Sequence, residues 1–300
     1  MNEGTAIGFI GLGVMGEPMC RNLARKIGRP VVGFDRAQEP LTRLAAFGVS
    51  AAGSLKDLAT QCDTILMALP SGKHVEAVCA GPEGLLAAVR PGTIVVDLGT
   101  SPVDLTRDIA ARFETVRARY ADAPIARTRQ AAEDGTLSIM VGADETTFAA
   151  LSPLLAVMAS DVTHCGPVGS GQIVKIMNNM VLVETVVALS EAIAIARHSG
   201  LDDRILFETL MKGSADSFAL RNHGMKAVLP GTFPERAFST EYALKDLSYA
   251  LALAADLGVR ADGARTADRL LKEAAESGYG DLYWPVVSRI VDPQPPSKES

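Results

Sequence analysis

The sequence predicts an α/β N-terminal domain with a parallel-rich sheet, joined by one long helix to an all-α C-terminal domain. In the first half of the chain, short apolar runs alternate with stretches of helical periodicity, which is typical of a parallel sheet covered on both faces. Beyond about Val168 only helical periodicity continues. A chain of 300 residues is also long enough to form about two domains.

The predicted sheet is built from five apolar runs. These runs are residues 6–10, 31–34, 64–68, 94–96 and 139–141. The stretches of helical spacing between and after the first four runs predict helices at residues 14–26, 40–47, 55–60, 74–80 and 103–116. Because helices separate the strands, we expect the strands to pair in parallel.

A glycine-rich passage at residues 165–171 marks the predicted boundary between the two domains. The helices predicted after it are residues 172–198, 204–211, 219–229, 242–257 and 264–276. The first of these is apolar on nearly every side, so it cannot lie on a solvated surface. We therefore expect it to form the spine of the second domain, covered by other helices and by a second subunit.

The charge balance and the cysteines exclude some classes of protein. Lysine and arginine number 29 against 35 aspartates and glutamates, a net charge of −6 without a basic run, so no nucleic-acid partner is expected. The four cysteines are scattered, without the spacing of a metal site. This favours a reducing compartment and no structural metal.

Neither a membrane span nor a secretory leader is predicted. The most apolar stretch, residues 176–196, contains Asn178, Asn179, Glu184 and Glu191, and the start of the chain lacks a basic leader. No membrane partner is therefore expected, and the predicted location is the cytoplasm.

A glycine-rich turn joins the first predicted strand to the first predicted helix. Its sequence is Gly11-Leu12-Gly13-Val14-Met15-Gly16, which has the G-x-G-x-x-G spacing in a strand–turn–helix setting. Gly11 allows a tight turn, Gly13 lets a pyrophosphate approach the backbone, and Gly16 lets the helix pack on the strand. Free N–H groups at the helix start favour an anion. The pattern predicts a dinucleotide site, although a plain glycine-rich turn has the same spacing.

The second predicted strand ends beside Asp35, about 20 residues after the glycine-rich turn, where the ribose of a dinucleotide is usually bound. The carboxylate of Asp35 can accept both ribose hydroxyls of NAD, whereas the 2′-phosphate of NADP would meet a like charge. Arg36 favours NADP, because a guanidinium can bind the 2′-phosphate. Alternatively, Arg36 is a solvated loop residue. The pattern favours NAD, with NADP as the alternative.

Four motifs are spread along nearly the whole chain. They are residues 8–19 with Asn22 and Leu23, residues 122–125 with residues 135–142, Gly169-Ser170-Gly171 followed by Lys175 and Asn179, and Lys245-Asp246-Leu247. Together they resemble the β-hydroxyacid dehydrogenase family, which includes 3-hydroxyisobutyrate dehydrogenases, tartronate semialdehyde reductases and, more distantly, 6-phosphogluconate dehydrogenases. The resemblance runs from Gly8 to about Trp284.

The resemblance implies a Rossmann-type dinucleotide-binding domain and an all-helical domain for substrate binding and dimerisation, with the active site between them. The predicted ranges are residues 1–167 and residues 168–292, followed by a flexible tail at residues 293–300. The implied activity is the NAD(P)-dependent interconversion of a small β-hydroxy acid and its semialdehyde or keto form, in a homodimer or homotetramer.

By position, the resemblance also places Leu69, Pro70, Thr100 and Lys245 beside the cofactor. Each has an ordinary alternative. Leu69 and Pro70 can simply end a strand, and Thr100 can cap the helix that follows it. Lys245 can pair with Glu241, one helical turn away.

The chain departs from the family pattern directly after residues 122–125. Most relatives carry Ser-Gly-Gly there, whose exposed N–H groups hold a carboxylate, whereas this chain has Ala126-Arg127-Thr128. Arg127 adds a planar cation that can bind an anion through two hydrogen bonds. The Arg-Thr pair is similar to that of 3-sulfolactaldehyde reductases, in which the arginine lies at the sulfonate. We expect the anion of a small acid to meet Arg127, unless Arg127 is an exposed loop residue.

Lys175 and Asn179 lie one turn apart in the long predicted helix, so they share a face. An ammonium among aliphatic residues is costly to bury unless it is paired or used, and burial would lower its pKa towards neutral pH. A carbonyl that receives a hydride also needs a proton, which Lys175 is predicted to supply and, in the reverse oxidation, to remove. Asn179 is predicted to orient the lysine or the substrate. Alternatively, Lys175 reaches water from near the helix start.

Two other functions are consistent with the same fold. An imine reductase is similar in fold but usually lacks this lysine, and a non-catalytic cofactor-binding scaffold does not need it. Lys175 and Asn179 therefore favour the dehydrogenase. The four histidines lie in separate segments without the spacing of a catalytic triad, and we expect surface or capping positions for them.

Overall fold

The computed structural model describes residues 5–235 and 237–293. By its internal contacts the chain divides into two compact units, Met1–Lys175 and Ile176–Ser300. The division falls inside the long helix predicted at residues 172–198, which is one continuous helix in the structure. The tail predicted at residues 293–300 lies outside the described residues except for its first residue.

Within the described residues, the first unit contains a nine-stranded sheet. Its strands are β1 (Ala6–Ile10), β2 (Val31–Phe34), β3 (Val49–Ala51), β4 (Cys62–Met67), β5 (Ile94–Asp97), β6 (Arg119–Asp122), β7 (Ile125–Ala126), β8 (Leu137–Gly142) and β9 (Ala159–Gly166). Strands β3, β2, β1, β4, β5 and β6 pair in parallel in that order. β8 is antiparallel to β6 and β7, and β9 pairs with β8 in parallel. This is a doubly wound order, in which ligands bind at the carboxyl ends of the strands.

Helices follow most of these strands. They are α1 (Gly16–Lys26), α2 (Gln38–Ala45), α3 (Leu55–Gln61), α4 (Gly72–Ala80), α5 (Val103–Thr115), α6 (Arg129–Asp134) and α7 (Glu145–Leu155), with a short 3-10 helix at Leu85–Ala87. The predicted strands and helices of this unit are confirmed, with ends that shift by a few residues.

The core of the first unit explains why the central strands are recognisable from sequence. Successive side chains of β4 enter two different apolar clusters: Leu66 packs with Phe9 in one, and Ile65 packs with Val95 in the other. All four residues are fully buried. A strand that is buried on both faces needs apolar residues at every position, and this produces a continuous apolar run.

The strands that the sequence did not reveal lack such a run. β3 and β7 have three and two residues. β6 begins with Arg119 and ends with Asp122, and most positions of β9 are exposed or half-buried. Polar side chains are therefore tolerated in these strands, and the apolar-run criterion misses them. Helices α6 and α7, of 6 and 11 residues, were also not predicted.

The second unit is helical. Its helices are α8 (Ser170–His198), which begins in the first unit, α9 (Asp203–Leu210), α10 (Thr240–Asp256), α11 (Asp262–Ala274) and α12 (Ser288–Val291), with π-helical segments at Leu220–Val228 and Ala275–Tyr279 and a 3-10 helix at Trp284–Val287. The helices predicted after Val168 are confirmed. The one predicted at residues 219–229 is a π-helix rather than an α-helix.

The prediction that every histidine occupies a surface or capping position is wrong for His223. Its ring is buried, and its Nδ1 lies 2.6 Å from the hydroxyl oxygen of Tyr283. The Trp284 ring packs beside it, with 5.4 Å between the ring centroids. Burial lowers the pKa of His223 to about 4. A neutral histidine is therefore part of this unit's core.

Helix α8 corrects a second expectation. By length and composition alone it could cross a membrane, although half of its most apolar 18-residue window is buried inside the protein. From the sequence, the polar residues within this helix were expected to exclude a membrane span. By this test they do not exclude it. A core helix of a soluble protein passes the same test, so the helix is weak evidence for a membrane. Val174, Val181 and Ile195 of α8 are exposed in the single chain, and their burial by a second subunit stays a prediction.

Candidate active site

The glycine-rich turn between β1 and α1 contains two glycines that the fold itself requires. Gly11 has a φ of +86°, and a Cβ there would overlap the carbonyl oxygen of Ala68. A Cβ on Gly16 would overlap the carbonyl oxygen of Gly11. Gly13 differs, because no heavy atom lies within 4 Å of the position that its Cβ would take. The missing side chain at Gly13 therefore leaves open space beside the turn.

Helix α1 starts from this turn without a side-chain cap. Its N-cap residue, Met15, makes no side-chain hydrogen bond to the first turn, and Val14 is exposed while Leu12 is buried. N–H groups at a helix start carry partial positive charge and favour an anion. The open side at Gly13 and the uncapped helix together fit a pyrophosphate.

Asp35 lies directly after β2 and is tied to the same turn. The N–H of Leu12 donates to its Oδ2 at 2.6 Å, and the N–H of Ala37 donates to its Oδ1 at 2.8 Å. Each oxygen keeps a further lone pair for a ligand hydroxyl. Asp35 is half-buried and Arg36 is exposed. The structure thus brings the predicted ribose acceptor to the predicted phosphate turn, beside a cavity of about 650 Å³.

Three further residues expected beside the cofactor follow β4 and β5. Leu69 is half-buried against an apolar cluster, and Pro70 is exposed. Thr100 is half-buried, and it does not cap α5, because the N-cap residue of that helix is Pro102. All three lie at the carboxyl ends of parallel strands, where ligands bind in this type of sheet.

A buried carboxylate holds the start of α8. Asp122, the last residue of β6, is fully buried. Its Oδ1 accepts the N–H of Gly169 and its Oδ2 accepts the N–H of Gln172, each at 2.7 Å. Burial raises the pKa of Asp122 to about 6, against the lowering effect of these N–H groups. The carboxylate therefore joins the carboxyl end of the sheet to the N-terminus of α8.

Gln172 makes a second connection in the first turn of α8. Its Oε1 accepts the N–H of Ser101 at 3.1 Å, and its Nε2 donates to the carbonyl oxygen of Gly99 at 3.0 Å. Asp97, the last residue of β5, accepts the hydroxyl of Ser101 at 2.7 Å and the N–H of Gly99 at 2.8 Å. The ends of two neighbouring strands thus orient one helix start.

Two glycines make this close approach possible. A Cβ on Gly171 would overlap the carbonyl oxygen of Met140 and would lie 2.9 Å from Oδ2 of Asp122. A Cβ on Gly142 would overlap the carboxylate of Asp122. The second glycine of the predicted Gly-x-Gly motif is therefore a packing requirement of the helix that carries Lys175.

Lys175 lies in the second turn of α8 and is half-buried. Asn179, one turn further along, is 5% exposed, and its Nδ2 donates to Oδ2 of Asp246 at 2.6 Å. Nδ2 of Asn178 donates to Oδ1 of Asn179 at 3.1 Å. The amide of Asn179 is therefore fixed on both sides.

Lys245 belongs to the same network in the second unit. Its Nζ lies 3.0 Å from Oδ1 of Asp246, and 4.4 Å and 5.5 Å from the ring centroids of Tyr242 and Tyr249. Asp246 thereby connects Lys245 on α10 to Asn179 on α8. A cation between two aromatic faces and a carboxylate is held in a narrow range of positions.

The loop after β7 holds Arg127 in an unusual conformation. Its φ is +85°, in the region that favours glycine. Its Nη2 donates to Oδ2 of Asp161 at 2.6 Å, and its Nη1 donates to the carbonyl oxygen of Thr136 at 2.6 Å and to Oγ of Ser160 at 2.5 Å. The cation expected to meet the substrate anion is therefore already neutralised by Asp161.

The neighbours of Arg127 have clear local roles. Ala126 is half-buried and ends β7. Thr128 is exposed and caps α6, because its Oγ1 accepts the N–H of Ala131 at 3.4 Å. The loop that departs from the family pattern is thus an ordered turn into a short helix.

Four buried polar residues that build this site were not predicted from the sequence. They are Asp122, Gln172, Asp97 and Asp246. Asp122 and Asp246 did stand inside recognised motifs, and an aspartate in an otherwise apolar run is a usable signal for a buried, hydrogen-bonded carboxylate. Asp97 also ends an apolar run, whereas no local pattern distinguishes Gln172. Gln172 matters because of its hydrogen bonds with Gly99 and Ser101, some 70 residues earlier in the chain.

The fold and the geometry of the site together define the class of protein. A doubly wound sheet, a glycine turn open at Gly13, an uncapped helix start and an aspartate at the end of β2 fit a dinucleotide-binding protein. Two family models match the chain in the same way. Residues 6–166 match the NAD binding domain of 6-phosphogluconate dehydrogenase, and residues 169–283 match the NAD-binding domain of NADP-dependent 3-hydroxyisobutyrate dehydrogenase.

Similarity to individual proteins identifies the family within this class. The chain is 36% identical to 2-(hydroxymethyl)glutarate dehydrogenase of Eubacterium barkeri, over 84% of this chain and 83% of that one. It is 32% identical to NAD-dependent L-serine dehydrogenase of Pseudomonas aeruginosa, over 96% and 98%. The solved structure of Mycobacterium tuberculosis 3-hydroxyisobutyrate dehydrogenase with L-serine superposes with a TM-score of 0.88, at 32% identity and coverage of 96% and 99%.

The chain belongs to the β-hydroxyacid dehydrogenase family and is an NAD(P)-dependent hydroxyacid dehydrogenase. An imine reductase from Myxococcus stipitatus, at 17% identity and a TM-score of 0.66, shares the fold alone. The family and the fold predicted from the sequence are confirmed.

We predict that Gly171→Ala will destabilise the first unit by about 1–3 kcal/mol, because an added Cβ must displace either the backbone of Met140 or the carboxylate of Asp122. Denaturant unfolding followed by circular dichroism measures this. Gly53→Ala is the matched control, since the nearest heavy atom to its Cβ would be 4.0 Å away. Equal stability of the two variants would contradict the packing role of Gly171.

Proposed function

We propose that this enzyme oxidises a small anionic β-hydroxy acid, or reduces the corresponding semialdehyde or keto acid, with Lys175 as the general acid and base and NAD as its preferred cofactor. The observation that carries the proposal is the anchoring of α8 by Asp122, because it fixes the position of a half-buried lysine one turn into the helix. We further propose that the enzyme is a soluble cytoplasmic homodimer or homotetramer.

The glycine-rich turn is the proposed pyrophosphate site. Gly13 is the glycine that the fold does not need, since its Cβ would meet nothing within 4 Å. A pyrophosphate that approaches the main chain there would explain why the protein leaves space open beside an uncapped helix start. Leu12, Val14 and Met15 form the rest of the turn, with Leu69, Pro70 and Thr100 as the neighbouring contacts at the strand ends.

Asp35 is the proposed ribose acceptor. Its two oxygens are oriented by the N–H groups of Leu12 and Ala37, so its remaining lone pairs have a defined direction. A negative charge here accepts ribose hydroxyls and repels a 2′-phosphate. We therefore propose that NAD binds more tightly than NADP, with Arg36 as an exposed loop residue that does not reverse this preference.

A bound nicotinamide would supply the hydride for reduction or accept it during oxidation. Lys175 gives a proton from Nζ to the substrate oxygen during reduction and takes it back during oxidation. Asn179, whose amide is held by Asp246 and Asn178, is the proposed residue that orients Lys175 or the substrate. Lys245, restrained by Asp246, is the proposed second cation on the cofactor or substrate.

The relatives suggest a substrate class. 3-Hydroxyisobutyrate, L-serine and 2-(hydroxymethyl)glutarate all carry a hydroxymethyl group on the carbon next to a carboxylate. We propose the same pattern here, with a variable third substituent. Initial rates with these acids, and in the reverse direction with tartronate semialdehyde, succinate semialdehyde-like acids and sulfolactaldehyde, test the proposal. Inactivity across the whole panel would favour a cofactor-binding scaffold.

Lys175→Met should lower kcat by about two to four orders of magnitude, because the proton donor is lost. The dissociation constant for NADH, measured by fluorescence titration, should change less than twofold. Lys272→Met is the control, because that lysine is an exposed partner of Asp268 on α11. Full activity in the Lys175 variant would exclude its catalytic role.

Gly13→Ala should weaken NADH binding by about tenfold or more, because the methyl group occupies space proposed for the pyrophosphate. Its unfolding midpoint should match that of the unmodified protein, since the methyl group meets no protein atom within 4 Å. Titration and thermal unfolding of the same sample separate the two effects. Unchanged NADH affinity would move the pyrophosphate away from Gly13.

Arg127 and Asp161 test the anion site in opposite directions. If the substrate anion binds Arg127, Arg127→Ala should raise KM for acidic substrates by about tenfold, the loss of one charged contact. Asp161→Asn should lower KM, because it removes the carboxylate that now neutralises the guanidinium. Steady-state kinetics on both variants decide the matter. KM values that do not move in either variant would make Arg127 a structural residue of the loop.

A further inference from the structure

We propose that the ion pair between Glu17 and Arg43 determines cofactor specificity. By neutralising Arg43, Glu17 keeps the cavity beside Asp35 from offering a free cation to the 2′-phosphate of NADP. The inference rests on the proposed preference for NAD and adds the residues that maintain it.

The cavity lies where the ribose end of a dinucleotide would emerge from the turn. It has a volume of about 650 Å³ and is partly open to solvent. Leu12, Gly13, Val14 and Asp35 line it, together with charged residues from three helices. These are Glu17 and Arg21 of α1, Glu39 and Arg43 of α2, and Arg129 and Glu133 of α6.

Glu17 and Arg43 face each other in a two-point contact. Nε of Arg43 donates to Oε1 of Glu17, and Nη2 donates to Oε2, both at 2.7 Å. The Glu17 side chain is 22% exposed and that of Arg43 is 58% exposed, so the carboxylate is the more enclosed partner. The hydrogen bond from Arg43 lowers the pKa of Glu17, which keeps the carboxylate ionised at neutral pH.

The other cations of the cavity are also paired. Arg21 is hydrogen-bonded to Glu133, and Nε of Arg129 lies 3.7 Å from the same carboxylate. Three arginines and four carboxylates line the cavity, a net charge of −1. Arg36, which the sequence suggested as a phosphate ligand, is exposed and is not one of the lining residues.

This charge distribution discriminates between the two cofactors. A phosphate monoester adds a charge of about −1.5 to −2 at neutral pH. In this cavity it would meet Asp35 and three guanidinium groups that are already paired with carboxylates. A ribose hydroxyl carries no charge and does not need those guanidinium groups. Glu17 therefore opposes NADP while leaving NAD unaffected.

The test is Glu17→Gln. Glutamine keeps the length and shape of the side chain but cannot neutralise Arg43, so the guanidinium becomes available to a phosphate. We expect the dissociation constant for NADP⁺ to fall about tenfold, a change that a nearby unscreened charge can produce. The dissociation constant for NAD⁺ should stay within twofold. Isothermal titration calorimetry measures both without any turnover.

Three variants serve as controls. Glu17→Gln combined with Arg43→Gln should lose the gain in NADP⁺ affinity, because the released cation is gone. Arg43→Gln alone should weaken NADP⁺ binding below that of the unmodified protein, because Glu17 is then unneutralised. Asp108→Asn removes a carboxylate from an exposed ion pair with Arg112 on α5, 2.7 Å apart, and should change neither affinity. Thermal unfolding of each variant verifies that it is folded.

The possible outcomes separate this inference from the function it rests on. If the unmodified protein binds NAD⁺ more tightly and Glu17→Gln leaves NADP⁺ affinity unchanged, the ion pair has no part in specificity and Asp35 suffices. If the unmodified protein binds NADP⁺ as tightly as NAD⁺, the proposed preference itself is wrong. If the Glu17 variant does not fold, Arg43→Gln still decides, because unchanged NADP⁺ affinity in it would refute the proposal.

Discussion

The rest of the candidate site depends on one buried carboxylate, that of Asp122. It accepts the N–H of Gly169, directly before α8, and the N–H of Gln172 in the first turn of α8, while its own backbone is the last position of β6. A charge enclosed in this way is stabilised only by donors that stay in place, so the carboxyl end of β6 and the start of α8 hold each other in position. The position of Lys175 follows from this contact, because α8 runs as one continuous helix from Ser170 to His198.

The glycines show two different uses of a missing side chain. Gly11, Gly16 and Gly171 are required because protein atoms occupy the space that a Cβ would need. At Gly13 no protein atom lies within 4 Å of that position, and we propose that a bound ligand uses the space. The sequence motif treats these glycines alike, whereas the structure separates those that packing requires from the one that packing does not require.

Much of the fold was predictable from sequence because burial imposes local patterns. Four central strands, β1, β2, β4 and β5, need apolar residues on both faces. The sequence predicts all four strands. β6 and β9 tolerate polar residues, and they were not. In the site, Asp35, Lys175 and Asn179 stand out through spacing and through being polar in apolar surroundings. Gln172 does not, because its partners are distant in the chain, and hydrogen bonds between distant residues leave no local pattern.

The sequence by itself determined the buried strands with the helices that alternate with them, the glycine-rich turn with its following aspartate, and the family, because each of these leaves a short local pattern. Only the tertiary structure decided which charges are already paired. Arg127 reads as a free cation in the sequence, yet Asp161 neutralises it from 34 residues away. Glu17 and Arg43 likewise read as unremarkable surface residues until α1 and α2 bring them together. Electrostatic interactions depend on distance in space, which the linear order of residues does not contain.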